Sequence, residues 1–176
     1  MRNQLGHILA LVTVLALGTP VNGQPSTQAA SDTFTWVSEL VSVDGTARTM
    51  TVKSRIAYQE ALSALKQFRA GEPVWVVWSG VSDHGDAVWQ FRRPEARGKI
   101  TERLVTPAEL VSPEAANQYV TLRVKVPEAG LAAIRNLKPG EWVTVTSRQH
   151  PVSESEAVVG VRPFSESSAP TPKSTN

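Results

Sequence analysis

The chain has 176 residues, 41% of them hydrophobic and 19% charged, with 18 Lys and Arg against 16 Asp and Glu and no cysteine. That composition excludes a collagen-like, coiled-coil or wholly disordered chain. Without cysteine there is no disulfide framework, thiol nucleophile, zinc ribbon, iron–sulfur cluster or lipidated N-terminal cysteine, and the near-balance of charge argues against a nucleic-acid partner.

Arg2 precedes an apolar run over residues 5–18, which Thr19-Pro20 ends before Val21-Asn22-Gly23. This layout predicts a secretory signal over 1–23, cleaved to release a periplasmic or secreted protein. The run is shorter than the roughly 20 residues that cross a bilayer, so no stable membrane insertion is expected after cleavage. Cleavage leaves 17 basic against 16 acidic residues, a charge of +1. Residues 24–32 are Ser/Ala/Gln-rich and 165–176 Ser/Pro/Thr-rich. Both lack the apolar content to offset ordering entropy and are expected to be a flexible linker and a disordered tail.

Between them the sequence repeats with an offset of 69 to 70 residues. Glu39-Leu40-Val41-Ser42 recurs as Glu109-Leu110-Val111-Ser112, and Thr51-Val52-Lys53 as Thr121-Leu122-Arg123. Leu62 returns as Leu131, Gly71-Glu72 as Gly140-Glu141, and Asp86-Ala87-Val88 as Glu156-Ala157-Val158. The repeats span about 33–94 and 103–164, joined by a connector at 95–102.

In the first repeat, 34–43 and 48–55 read as strands joined at Asp44-Gly45, a pair suited to a tight hairpin. Met50 and Val52 point inward, while Thr49, Thr51, Lys53 and Arg55 point outward. The second repeat turns Val120, Leu122, Val124 and Val126 inward in the same way. Leu62, Leu65 and Phe68 then mark one face of a helix, matched by Leu131, Ile134 and Leu137. Pro127 suits the first turn of the second helix. Gly71 and Gly140 follow the helix ends, where a left-handed residue closes the last turn. Residues 73–79 with 87–92, and 142–147 with 157–162, supply two more strands per repeat. The predicted class is mainly β with helices, in the order ββαββ twice.

Phe68-Arg69-Ala70-Gly71-Glu72-Pro73-Val74-Trp75-Val76 and Leu137-Lys138-Pro139-Gly140-Glu141-Trp142-Val143-Thr144-Val145 resemble the helix-to-strand step of small periplasmic OB domains, including the copper/silver chaperone-like family. The whole chain resembles secreted bacterial proteins with OB-like repeats. The resemblance implies either two OB-like small barrels in tandem or one pseudo-symmetric barrel formed from both repeats. The metallochaperone family holds soft metals with methionine and histidine on its strands beside a tryptophan. After processing this chain keeps only Met50, on the inward face, so that ligand set does not carry over.

Several residues stand out as candidate contacts. Val74 and Val76 point inward, so Trp75 lies on the face where the second repeat has Thr144; it is either covered by the other repeat or offered to a ligand. Trp89 aligns with Val159 on the inward face and reads as core, as do Phe34 and Trp36. Lys53, Arg55 and Arg92, beside Trp75, form with Arg93, Arg123, Lys125 and Arg162 a row of cations able to hold an anionic polymer or glycan, or else a solvated strand edge. His84 in Ser82-Asp83-His84-Gly85-Asp86 is a metal candidate with Asp83 and Asp86, though the same residues compose an ordinary turn, and His150 before Pro151 sits in the matching turn.

No phosphate loop, Gly-x-Ser-x-Gly elbow or His-Glu-x-x-His occurs. The sequence therefore points to a non-enzymatic periplasmic or secreted binding or scaffolding module, without a cofactor, for a protein or an anionic polymer or glycan. The alternatives are a metal-binding protein centred on His84 and an enzyme with a carboxylate-based site.

Overall fold

The computed structural model describes residues 32–81, 83–95, 101–113, 116–151 and 153–165. The expected signal, the linker up to residue 31, Ser82, the middle of the connector and the tail from residue 166 lie outside them.

The first repeat supplies β1 (Thr33–Asp44), β2 (Thr49–Arg55), α1 (Gln59–Leu65), β3 (Pro73–Val81) and β4 (His84–Arg92). The second supplies β5 (Val105–Ser112), β6 (Tyr119–Lys125), α2 (Glu128–Ile134), β7 (Trp142–Arg148), a short α3 (Glu154–Ala157) and β8 (Val158–Pro163). Among the described residues these eight strands form a single sheet in the order β2-β6-β5-β3-β4-β1-β7-β8, and a further β2–β1 pairing closes six of them into a ring.

The ring takes strands from both repeats, which excludes two self-contained barrels in tandem. Long-range pairings carry the sequence offset in their registers. Val52 on β2 stands opposite Leu122 on β6, its own counterpart. Glu39 opposite Trp142, in the β1–β7 ladder, corresponds to Glu109 opposite Pro73, in the β5–β3 ladder. Each repeat thus lends its third strand to the first strand of the other.

β1 is long enough to serve several partners. One edge pairs with β7 from Thr33 to Glu39. The other bridges β4 in parallel at Thr35–His84 and Trp36–Gly85, then pairs β2 from Glu39 to Asp44. A bulge between Leu40 and Ser42 bends this second ladder, and the same irregularity recurs between Leu110 and Ser112. Bulges of this kind increase local twist and help a sheet curl.

The hairpin at Asp44-Gly45 is looser than the tight hairpin expected, with residues 45–48 between β1 and β2. Asp44 and Thr49 form its last pair, and the Asp44 Oδ1 accepts bonds from the backbone N–H groups of Thr46 and Ala47, both at 2.9 Å. Arg48, not the glycine, takes the left-handed conformation at φ 54°, as does its counterpart Gln118 at φ 65°. An aspartate that caps its own turn makes the longer loop self-supporting.

Alternation and helical spacing account for the interior. Phe34, Trp36, Leu40, Met50, Val52, Val74, Val76, Val120, Leu122, Val124, Val143 and Val145 all lie in one core cluster. It is closed by Leu65 of α1, by Leu131 and Ile134 of α2, and by Phe68, which follows the end of α1 where helical spacing predicts it on the helix. Gly71 and Gly140 have φ of 82° and 94°, but the helices already end at Leu65 and Ile134 with right-handed caps at Lys66 and Arg135. The glycines therefore close not the helices but the separate turns in which Glu72 N donates to Arg69 O and Glu141 N to Lys138 O. The glycine N–H groups donate to Leu110 O and Leu40 O, each at 2.8 Å, so the glycine turn of each repeat is tied to the first strand of the other.

The repeats differ after β3 and β7. β3 and β4 run on to Val81 and His84, farther than alternation predicted, and the start of β4 reaches β1. The corresponding residues of the second repeat, 154–157, form α3 instead, which packs beside β5 and β6.

Candidate binding surface

Trp75 is 7% exposed and forms a small cluster with Val77 and Val105, the last contributed by the second repeat. Its neighbours across the ladders are Arg92 on β4 and Pro107 on β5. It does lie opposite the inward face of Val74 and Val76, as alternation requires, but the strand order sets β5 beside β3. A side chain so covered offers little surface to a ligand. The sister residue Thr144 is buried as well.

The cations beside it are met by carboxylates. Arg92 contacts Glu102 at 3.2 Å, Lys53 contacts Glu39 at 3.7 Å, Arg93 contacts Glu72 at 3.3 Å, and Arg123 contacts Glu109 at 2.5 Å. The Lys53–Glu39 and Arg123–Glu109 pairs occupy equivalent positions in the two repeats. Half-exposed pairs of this kind add little stability, but they offset the positive field that an anionic polymer needs. Arg55 is exposed.

Burial raises the Glu102 carboxyl, but its own backbone N–H, the Arg92 guanidinium and the Thr101 N–H together outweigh burial and hold it below the ordinary carboxylate value. A carboxyl depressed in the folded state stabilises above its unfolded value, and that contribution is lost as pH falls through the folded one. Urea midpoints taken from roughly pH 7 down to roughly pH 3 should therefore fall less steeply for Glu102→Gln than for the unchanged chain.

His84 opens β4 instead of tipping a turn. Its Nδ1 lies 3.1 Å from Thr35 Oγ1 and its Nε2 3.5 Å from Asp86 Oδ1. Asp83 contributes its backbone carbonyl, which accepts from Thr35 N at 2.9 Å. Among the described residues no three His, Asp or Glu side chains converge to hold a metal ion. His150 is exposed, with φ 52°. A hollow of about 50 Å³ between Thr49, Pro107, Glu109, Arg123, Lys125 and Glu154 has room for a water or two and not for an organic ligand.

Two tryptophans do reach solvent, Trp89 at 43% and Trp142 at 42% exposed, and the first corrects the assignment of Trp89 to the core. The β3–β4 register passes from Val77–Gln90 to Trp78–Val88, leaving Trp89 as the extra residue of a bulge. β8 repeats the device: Thr146 pairs with Gly160 and Ser147 with Val158, and Val159 is left over and exposed. The alignment of Trp89 with Val159 therefore holds, but the bulge turns both residues to the outer face. The trace in the sequence is the unbroken run Ala87-Val88-Trp89, repeated as Ala157-Val158-Val159, which strict alternation does not allow.

Trp89 meets Tyr58 edge to face, with ring centroids 6.5 Å apart. Tyr58 is itself 40% exposed and precedes α1. The neighbouring Ala57 N–H donates to Val88 O at 3.3 Å, and Ile56 bridges Val88, so the two aromatics are carried by backbone that is bonded together. A second exposed pair, Trp142 and Phe164, lies at the outer ladder, where Phe164 N donates to Trp142 O at 2.9 Å. Set against family models, curated proteins and solved structures, the chain matches none of them.

Proposed function

We propose that this chain is a non-enzymatic binding or scaffolding module, exported to the periplasm or secreted, in which two OB-like repeats share one barrel and Trp89 with Tyr58 meets a protein partner. The observation that carries the reading is Trp89, exposed at a strand bulge and braced by Tyr58. A large aromatic held out on paired backbone loses little entropy on binding, and tryptophan and tyrosine dominate the energetics of protein interfaces. Its counterpart Val159 has the same bulge without the ring, so the aromatic is not what forms the bulge. The ion pairs along the cationic row favour a protein over an anionic polymer or glycan. The N-terminal apolar segment supports the exported address.

Trp89→Val gives the first repeat the residue of the second and is expected to change stability by no more than about 0.5 kcal/mol. The full chain, Trp89→Val and Trp142→Val would be immobilised and exposed to an extract of the exported compartment. A partner held by the unchanged chain and by Trp142→Val, and lost from Trp89→Val, is the expected result. Equal retention by all three would reject this surface.

A further inference from the structure

Four buried residues, near the starts of β1 and β5 and toward the ends of β3 and β7, occupy only two kinds of position. Trp36 corresponds to Thr106 and Trp78 to Ser147 under the repeat offset, so one repeat supplies two indoles where the other supplies two hydroxyls. The indoles stack with centroids 4.5 Å apart. Each donates across the repeats: Trp36 Nε1 to Ser147 Oγ at 2.9 Å, and Trp78 Nε1 to Thr106 Oγ1 at 3.2 Å. Thr106 Oγ1 in turn donates to Ser147 Oγ at 3.4 Å. None of the four is more than 4% exposed.

We infer that this tetrad is a pairing lock, which makes the two repeats complementary to each other and mismatched with themselves. The sheet is built by lending strands between repeats, so a repeat has the backbone to pair with its own kind in a second copy as well as with its neighbour in the chain. Like pairing of the first repeat would bring four indoles to a space that holds two, with no hydroxyls to accept from them. Like pairing of the second would bring four hydroxyls and leave the indole volume empty. Both are costly in a close-packed interior, where buried donors require acceptors. Gly85 belongs to the same adjustment: a Cβ there would lie 3.0 Å from Trp78 Cβ and 3.4 Å from Trp36 Cβ, and the corresponding residue is Ser155. The lock holds the chain closed on itself and disfavours exchange of repeats between copies.

Two measurements on the full chain test this. In the first, Trp36→Phe with Ser147→Ala, and Trp78→Phe with Thr106→Ala, are each made singly and together. The expected drop in urea midpoint for each double is no larger than that of its more damaging single, because one loss already orphans the partner. Midpoint shifts that simply add would overturn the lock. In the second, Trp36→Thr with Trp78→Ser gives both repeats hydroxyls and removes the discrimination. Light scattering should then show a mean mass at least half again that of the unchanged chain at equal concentration. A variant that keeps native circular dichroism and an unchanged mass distribution would also overturn it; if this variant does not fold, the two cycles decide alone.

Discussion

Trp75→Thr, which installs the residue of the sister position 144, is expected to lower the free energy of unfolding by about 3 kcal/mol. Only 7% of this side chain is exposed, and Val77 and Val105 share its cluster. Removing the indole takes away apolar contact and leaves a space that β3 and β5, joined by five register pairs from Pro73–Glu109 to Val77–Val105, are not free to close. Part of the loss belongs to the junction between the repeats, since Val105 comes from the second. Urea unfolding with an unchanged slope and a lower midpoint is the measurement. A loss under about 0.5 kcal/mol, the size of an ordinary surface substitution, would mean that Trp75 lies open and that the first repeat offers solvent a second tryptophan besides Trp89.

Gly80→Ala is expected to cost a similar amount, about 3 kcal/mol, for a backbone reason. Gly80 has φ 134°, and a Cβ on it would stand 2.1 Å from the carbonyl oxygen of His84. Neither strain nor clash relaxes cheaply, because the obstacle is main chain on the facing strand, where Gly80 pairs with Gly85. Relieving it would pull the start of β4 from β3, and with it the parallel bridges Thr35–His84 and Trp36–Gly85. Gly45→Ala is the control. Nothing lies within 4 Å of a Cβ there and its φ is not positive, so its change should stay within about 0.5 kcal/mol. Equal effects at the two glycines would show that the β3–β4 connection is not held as described.

The strands, helices and most of the interior were legible in the sequence because each copy of the repeat checks the other. Met50, Val52, Leu122 and Val124 face inward as period-2 alternation requires, and Gly71 and Gly140 take a left-handed conformation, though in the turns before β3 and β7 and not at the helix ends. Alternation failed at Trp89, where a bulge adds one residue and reverses the faces on one side of it. It also failed to show that residues 154–157 coil into α3 while their counterparts 84–87 stay in strand β4. The candidate site fared worse. Lys53 and Arg92 were visible as cations, but Glu39 and Glu102, which meet them, come from a neighbouring strand and from the segment before β5.

By itself, the sequence determined the repeat, the order ββαββ written twice, and which residues of each strand and helix are apolar enough to be buried, since these follow from local periodicity and from the offset between copies. Only the tertiary structure decided which strands lie side by side. Pairing β3 with β5 and β1 with β7 joins residues about 30 to 115 positions apart. Those partners covered Trp75, joined the indoles of one repeat to the hydroxyls of the other, and left Trp89 facing solvent. The physical reason is that a hydrogen-bonded ladder fixes neighbours by register across the sheet, and no spacing along the chain encodes which edge a strand will meet.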